Sequence, residues 1–213
     1  MFDEKLKSAV LEELTWEPSV SPSNIGVIAK DGVVTLTGHV GTFAEKHAAE
    51  TATRRVKGVK AVAEEIEVRL PFESKRADDQ IAAAAVDRLT WDVAVPKAIG
   101  VKVEKGWVTL DGQVDWHYQS EAAVRAVRNL FGVVGVSNLI TIKPAVYTAK
   151  IGDNIMHALH RSWFFDPAIV VNADGGKVRL SGTVHSPYDR AIAGTTAWAA
   201  PGATSVENDI LVM

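Results

Sequence analysis

The sequence predicts an α+β protein of three tandem repeats, each running helix–strand–strand–helix–strand, with a three-stranded sheet packed on two helices. Three observations predict it. One stretch is written three times, as GVVTLTGHV from Gly32 to Val40, GWVTLDGQV from Gly106 to Val114 and GKVRLSGTV from Gly176 to Val184. The copies are spaced by 74 residues (Gly38 to Gly112) and 70 residues (Gly112 to Gly182), too long for a solenoid unit and suited to a small domain. From Ile25, Ile99 and Ile169 the three copies align without a gap as far as Ile66, Ile140 and Ile210. The predicted domains are 1–70, 76–144 and 148–213. A domain of this size buries only about 60% of its unfolded surface. Packing between repeats is therefore expected to add stability.

Each repeat opens with a helix. Leu6, Val10, Leu11 and Leu14 form an apolar stripe at helical spacing, matched by Ile81, Ala85, Val86 and Leu89 and by Ile151, Ile155, Met156 and Leu159. Asp3, Asp78 and Thr148 stand where a helix cap is expected. Pro18 and Pro22 stop the first helix, and Pro96 and Pro167 mark the same junction later. Trp16 and Trp91 follow the first helix at equivalent positions and read as core anchors.

The first strand comes next: Ile25, Val27 and Ala29, then Ile99, Val101 and Val103, then Ile169, Val171 and Ala173. Tight hairpins follow at Lys30-Asp31-Gly32, Glu104-Lys105-Gly106 and Asp174-Gly175-Gly176, where glycine can take positive φ. In the second strand Val34, Leu36 and Val40 face the core, with Val108 and Leu110 and then Val178 and Leu180 as their counterparts. A second helix has a small inner side of Ala48, Ala49 and Ala52, of Ala122, Ala123 and Ala126, and of Ile192, Ala193 and Thr196. It stops near Gly58, Gly132 and Gly202. A third strand closes each unit from Val62, Val136 and Val206, and linkers at 70–77 and 143–149 join the units. The far side of each sheet is left open or packs between repeats.

At this point the chain resembles the BON domain family, named for bacterial osmotically inducible and nodulation proteins. The matching residues are Val34–Val40 with Gly58, Val59 and Val62, Val108–Val114 with Gly132, Val133 and Val136, and Val178–Val184 with Gly202, Ala203 and Val206. Asn138 and Asn208 match the residue usual after that turn, and Glu64 departs from it. Ala203 and Pro201 are further departures in the third copy. The resemblance implies a lipid-associated or envelope-stress role, with anionic phospholipid as the proposed ligand of members, and it brings no catalytic residues.

Composition narrows the function classes. Net charge is −3, and residues 1–75, 76–147 and 148–213 carry 10, 8 and 5 basic against 12, 8 and 6 acidic side chains. No repeat is a basic module, so nucleic acid is not an expected partner. With no cysteine, disulfides and thiolate sites are excluded. The charged N-terminal stretch reads as an amphipathic helix, and it is not expected to act as a signal peptide or a membrane span. The chain as it stands is expected in the cytoplasm, or in the periplasm if an export signal was removed.

Among candidate sites, Arg54, Arg55, Lys57 and Lys60 end the second helix of the first repeat. They suit phosphate head groups, or else a helix C-terminus with Glu64 and Glu65 as partners. Arg125 and Arg128 sit similarly in the second repeat, and Trp198 replaces the arginine in the third. Trp116, His117 and Tyr118 present amphipathic rings to a membrane interface or partner, or pack between repeats. Trp107 points to the open sheet side and is expected to be buried between repeats. Gly38, Gly112 and Gly182 read as structural kinks rather than ligand-approach positions. His157, His160 and His185 fall short of a metal site for want of acidic or cysteine ligands. Gly132-Val133-Val134-Gly135 spells an RNA-loop motif in the wrong context. No nucleophile–base arrangement, phosphate loop or metal-ligand spacing appears, so neither catalysis nor a cofactor is expected. The sequence therefore predicts a non-enzymatic protein that binds anionic phospholipid or a membrane surface. Its alternative is a protein-interaction or self-assembly module.

Overall fold

The computed structural model describes residues 2–144, 150–161 and 168–213. Thr148, Pro167 and most of the second linker lie outside them. The first repeat comprises α1 (Phe2–Trp16), β1 (Ile25–Lys30), β2 (Val33–Val40), α2 (Phe43–Arg55) and β3 (Ala61–Val68). The second comprises α3 (Asp78–Trp91), β4 (Ile99–Glu104), β5 (Trp107–Val114), α4 (His117–Arg128) and β6 (Gly135–Ile142). In the third, α5 (Ile151–Arg161) and β7 (Val170–Asp174) precede a split central strand, β8 (Lys177–Ser181) and β9 (Thr183–Val184). After α6 (Pro187–Trp198) the last strand is also split, into β10 (Ser205–Asn208) and β11 (Leu211–Val212). The fold is thus α+β with three repeats, as the periodicity predicts.

The repeated stretch is the central strand of every sheet. The orders are β1-β2-β3, β4-β5-β6 and β7-β8-β10, with β11 beside β9. β1 and β2 pair antiparallel through the hairpin, and β2 and β3 pair parallel across α2. The same arrangement holds β7 to β8 and β8 to β10. Val34, Leu36 and Val40 are buried, as are Val108, Leu110 and Val114 and then Val178, Leu180 and Val184. Alternation along a central strand sends these side chains to the helix-covered side. The first core joins them to Leu6, Val10, Leu14, Ala49 and Ala52, and the third to Ile151, Ile155, Leu159, Ala193 and Ala197. Small alanines bring the second helix close to the sheet.

By proximity the chain divides into two compact units, Met1–Arg88 with Val101–Thr109 and Arg125–Ser137, and Leu89–Gly100 with Leu110–Val124 and Asn138–Met213. The division passes through the middle repeat.

The hairpin turns show what the first helix contributes. Asp31, Lys105 and Gly175 take φ of 51°, 52° and 54°, and the glycines after them take 86°, 77° and 91°. Both central residues therefore have positive φ, the geometry of a type I′ turn. A non-glycine residue there costs on the order of 1–2 kcal/mol. Asp3 and Asp78 offset that cost. They do not act as N-caps, because they lie within the first turns of α1 and α3. Instead the Asp3 carboxylate accepts the Asp31 amide at 3.0 Å. Asp78 accepts the amides of Lys105 at 2.7 Å and Gly106 at 2.8 Å.

Two other expectations for the first helix need correction. The buried stripe is narrower than predicted: Leu11 is 36% and Val86 52% exposed. Spacing of four along the helix is what meets the sheet, and a neighbouring residue swings about 100° away. Trp16 and Trp91 are not core anchors, being 84% and 86% exposed. Each stands two residues past the last buried leucine, about 200° round the helix and facing water.

Gly38, Gly112 and Gly182 have φ of 103°, 127° and 114°. A Cβ on any of them would run into the carbonyl oxygen leading into the first strand, on Asn24, Ala98 and Ala168 respectively. The backbone alone therefore requires glycine at these positions.

Asp78→Ala is expected to lower stability by about 1–2 kcal/mol, because two turn amides lose a charged acceptor. Lys105→Gly is expected to raise it by about 0.5–1 kcal/mol by relieving the left-handed backbone. Thermal or urea unfolding of the two variants checks both signs.

Candidate binding surfaces

The basic end of α2 is largely occupied. Arg54 donates to Glu50 one turn back, with Nη2–Oε1 at 2.6 Å. Arg55 bridges Glu13 at 3.1 Å and Glu17 at 2.8 Å on α1. Neither arginine makes a direct ion pair with the expected Glu64 or Glu65: Arg54 turns back to Glu50 and acts on Glu64 only as a more distant charge, while Arg55 reaches across to α1. Hydrogen bonds from the Ser19 hydroxyl and then from Arg55 hold the Glu17 carboxyl below its usual range. Lys57 and Lys60 are exposed beyond the helix, and the Lys60 stem lies along Gly32. Arg125 is exposed and Arg128 half-buried.

Glu64 belongs to a different device, repeated three times between the second helix and the last strand. In the first repeat Lys46 donates to the Ile66 carbonyl at 2.8 Å and approaches Glu64 at 3.9 Å. In the second, Asn138 donates to Ser120 at 2.9 Å. In the third, Asn208 donates to the Arg190 carbonyl at 2.9 Å and Arg190 returns a bond to the Asn208 carbonyl at 2.7 Å. A lysine–glutamate pair in the first repeat thus stands where an asparagine makes the latch in the other two. Burial raises the Glu64 pKa, and Lys46 opposes the shift. The recurrence of 46, 120 and 190 in the gapless alignment was the signal for this pairing.

The aromatic run of the middle repeat splits up. Gln119 accepts the amides of Asp115 and Trp116, both at 3.0 Å, and fixes the start of α4. His117 turns inward and stacks on Trp198 of the third repeat, ring centroids 3.8 Å apart and planes at 11°. Trp198 is the residue that replaces an arginine, so the contact uses a position divergent in this repeat. Ser120, Asn138, Ile140, Thr141, Ile142 and Thr204 complete a cleft of about 320 Å³ beside this stack. Burial depresses the His117 pKa, opposed by Glu121 at 3.8 Å. Trp116 and Tyr118 are left 37% and 58% exposed.

Trp107 is not buried between repeats as expected. It is 49% exposed, and its indole N–H reaches the Ser137 hydroxyl at 2.8 Å. Gly132 makes a positive-φ turn, and Gly135 opens β6 beneath the Trp107 ring. His157, His160 and His185 are exposed. Among the described residues no group of three or more His, Asp or Glu is placed to hold a metal ion. No described helix is long and apolar enough to cross a membrane.

Comparison with known proteins places this geometry in context. The BON domain profile matches three times, at residues 2–69, 77–144 and 148–213. "Osmotically-inducible protein Y" of Escherichia coli (strain K12) is 28% identical over 148 residues, covering 62% of this chain and 68% of that one. Two structures of CdsD, a structural protein of the type III secretion system of Chlamydia trachomatis, align at 15% and 13% identity. They cover 98% of this chain and 97% and 92% of theirs, with TM-scores of 0.27 and 0.29.

The His117 stack makes stability depend on pH. With the folded pKa depressed, the unfolded chain binds the proton more readily, so stability is full above about 6.5 and falls as pH drops through that value. His117→Phe is expected to keep the stack and flatten this dependence. Melting temperatures of both chains between pH 8 and pH 5 provide the check.

Proposed function

The chain belongs to the BON domain family, and from that premise we propose that it is a non-enzymatic binding protein linked to osmotic stress, acting at an anionic phospholipid surface. Similarity to a protein named for osmotic induction supports the stress link. The family brings no catalytic residues. The observation that carries the surface reading is the exposure of Trp16 and Trp91, at 84% and 86%, on equivalent helix ends of two repeats. An indole has an apolar body and one polar N–H, and it partitions to the boundary between head groups and water. Trp116 and Tyr118 add smaller exposed rings.

Charge supplies the preference for anionic lipid. Arg54 and Arg55 are engaged by Glu50, Glu13 and Glu17, so their attraction to phosphate is largely cancelled. Lys57, Lys60 and Arg125 are then the cations with most to contribute, each about 1 kcal/mol near an anionic surface. Such attraction weakens with salt.

A second reading has its own observation. Ile28 and Val33 are 60% and 43% exposed on the side of β1 and β2 facing away from the helices. An apolar sheet face of this kind suits a protein partner or a second copy of the chain.

Sedimentation with phosphatidylglycerol and phosphatidylcholine vesicles distinguishes the readings. The expected result is binding to the first and not the second, reduced in high salt. Trp16→Ala with Trp91→Ala should weaken it about tenfold, and Lys57→Ala with Lys60→Ala should weaken it only at low salt. Equal binding to both lipids counts against the proposal. Absence of vesicle binding, with concentration-dependent assembly abolished by Ile28→Lys, selects the second reading.

A further inference from the structure

Trp107 opens β5 on the sheet face turned away from the core-facing Val108 and Leu110. Its six-membered ring lies against Gly135, where an added Cβ would meet Cδ2 at 2.8 Å and overlap Cε3 and Cζ3. Gly135 is not among the positive-φ glycines. Glycine stands there because of the ring, not because of the backbone. The indole Nε1 donates to Ser137 Oγ at 2.8 Å. In the gapless alignment Trp107 corresponds to Val33 and Lys177, Gly135 to Ala61 and Ser205, and Ser137 to Ala63 and Glu207. The middle repeat therefore differs at three positions that act together. They pin one indole flat on the neighbouring strand while 49% of the residue stays in water.

We infer that this pinned indole is a binding platform for the C–H-rich face of a neutral pyranose within an oligosaccharide. A ring held at one edge and one face loses little further freedom on binding, which is how preorganisation improves affinity. Its N–H is already taken, so what it offers a ligand is the π-face. The adjacent strand β4 carries Lys102 and Glu104, paired at 3.3 Å with side chains 72% and 70% exposed. That pair sums to no charge, and it favours neither an anion nor a cation. Quaternary ammonium groups are recognised by cages of several aromatic rings, and among the described residues no second ring stacks on Trp107. Single-stranded nucleic acid also stacks on aromatics, but it needs a basic groove alongside. A pyranose fits the ring and its uncharged surroundings: its axial C–H groups pack on the indole face, and its hydroxyls ask for no net charge beside it. A single stacking ring gives a dissociation constant of roughly millimolar order. The platform uses none of the residues assigned to the lipid surface.

Saturation-transfer NMR on the full chain tests the inference, with cellohexaose, maltohexaose and chitotetraose as probes. Transfer to the ring C–H protons of at least one of them is expected. Trp107→Ala should weaken it at least about tenfold, Ser137→Ala should weaken it less, and Trp16→Ala should leave it unchanged. Vesicle sedimentation by Trp107→Ala should match that of the parent chain, so the two proposals fail separately. Should Trp107→Ala not fold, Ser137→Ala and Gly135→Ala, which free or displace the ring, carry the same test. No transfer from any of the three sugars overturns the inference, as does undiminished transfer in Trp107→Ala. Transfer only to tetramethylammonium or to a single-stranded oligonucleotide also overturns it, by assigning the ring to another ligand class.

Discussion

Each repeat depends on a hairpin turn held from two sides. The carbonyl of its second turn residue is the acceptor that starts the parallel pairing with the last strand. Gly32 accepts from Lys60 at 2.8 Å, Gly106 from Val134 at 2.9 Å and Gly176 from Thr204 at 2.8 Å. In the first two repeats the helix-1 aspartate takes the turn amides from the opposite direction. Parallel strands have no short turn to set their register and need a crossover. Here the crossover is the second helix, and the turn carbonyl decides where the strand after it lands. A one-residue slip would send Ile66 or its counterparts out to water. The glycines that follow the second helix pack against the hairpin glycines, Gly132 and Gly202 oxygens each lying 2.6 Å from where a Cβ on Gly106 or Gly176 would stand. Backbone meets backbone there, and side chains are excluded.

With that framework fixed, the repeats are free to differ on the outside, and the differences sit at equivalent positions. The site of Arg54 and Arg128 becomes Trp198, which receives His117. Lys46 and Glu64 stand where Ser120 and Asn138 form a neutral latch. Val33 and Lys177 become Trp107. In each case the buried side chains of the central strand are kept, so the new chemistry sits outside the core.

Much of the fold was legible because its signals are periodic. Alternation placed Val34, Leu36 and Val40 on the buried side, and repetition multiplied a weak pattern by three. The surfaces were less legible. Trp16 and Trp91 look like core residues by composition, and only the angle around the helix turns them outward. Arg55 could be assigned in sequence only to a phosphate or to Glu64 and Glu65, because its actual partners Glu13 and Glu17 are about forty residues away. The aspartates read as caps, since a cap and a tertiary anchor use the same residue at the same place. For the structural glycines sequence could offer alternatives; positive φ and the carbonyl opposite supply the backbone reason for glycine.

What the sequence determined by itself is the part written in local spacing: three copies, the order of elements within each, and the aliphatic side chains of the core. These follow from strand and helix periods, which any residue can be checked against in place. What only the tertiary structure decided is which distant groups meet: Asp78 with the Lys105 turn, Arg55 with two glutamates of α1, His117 with Trp198, and Trp107 with Gly135. Such meetings depend on how elements pack in space, and no period along the chain encodes them.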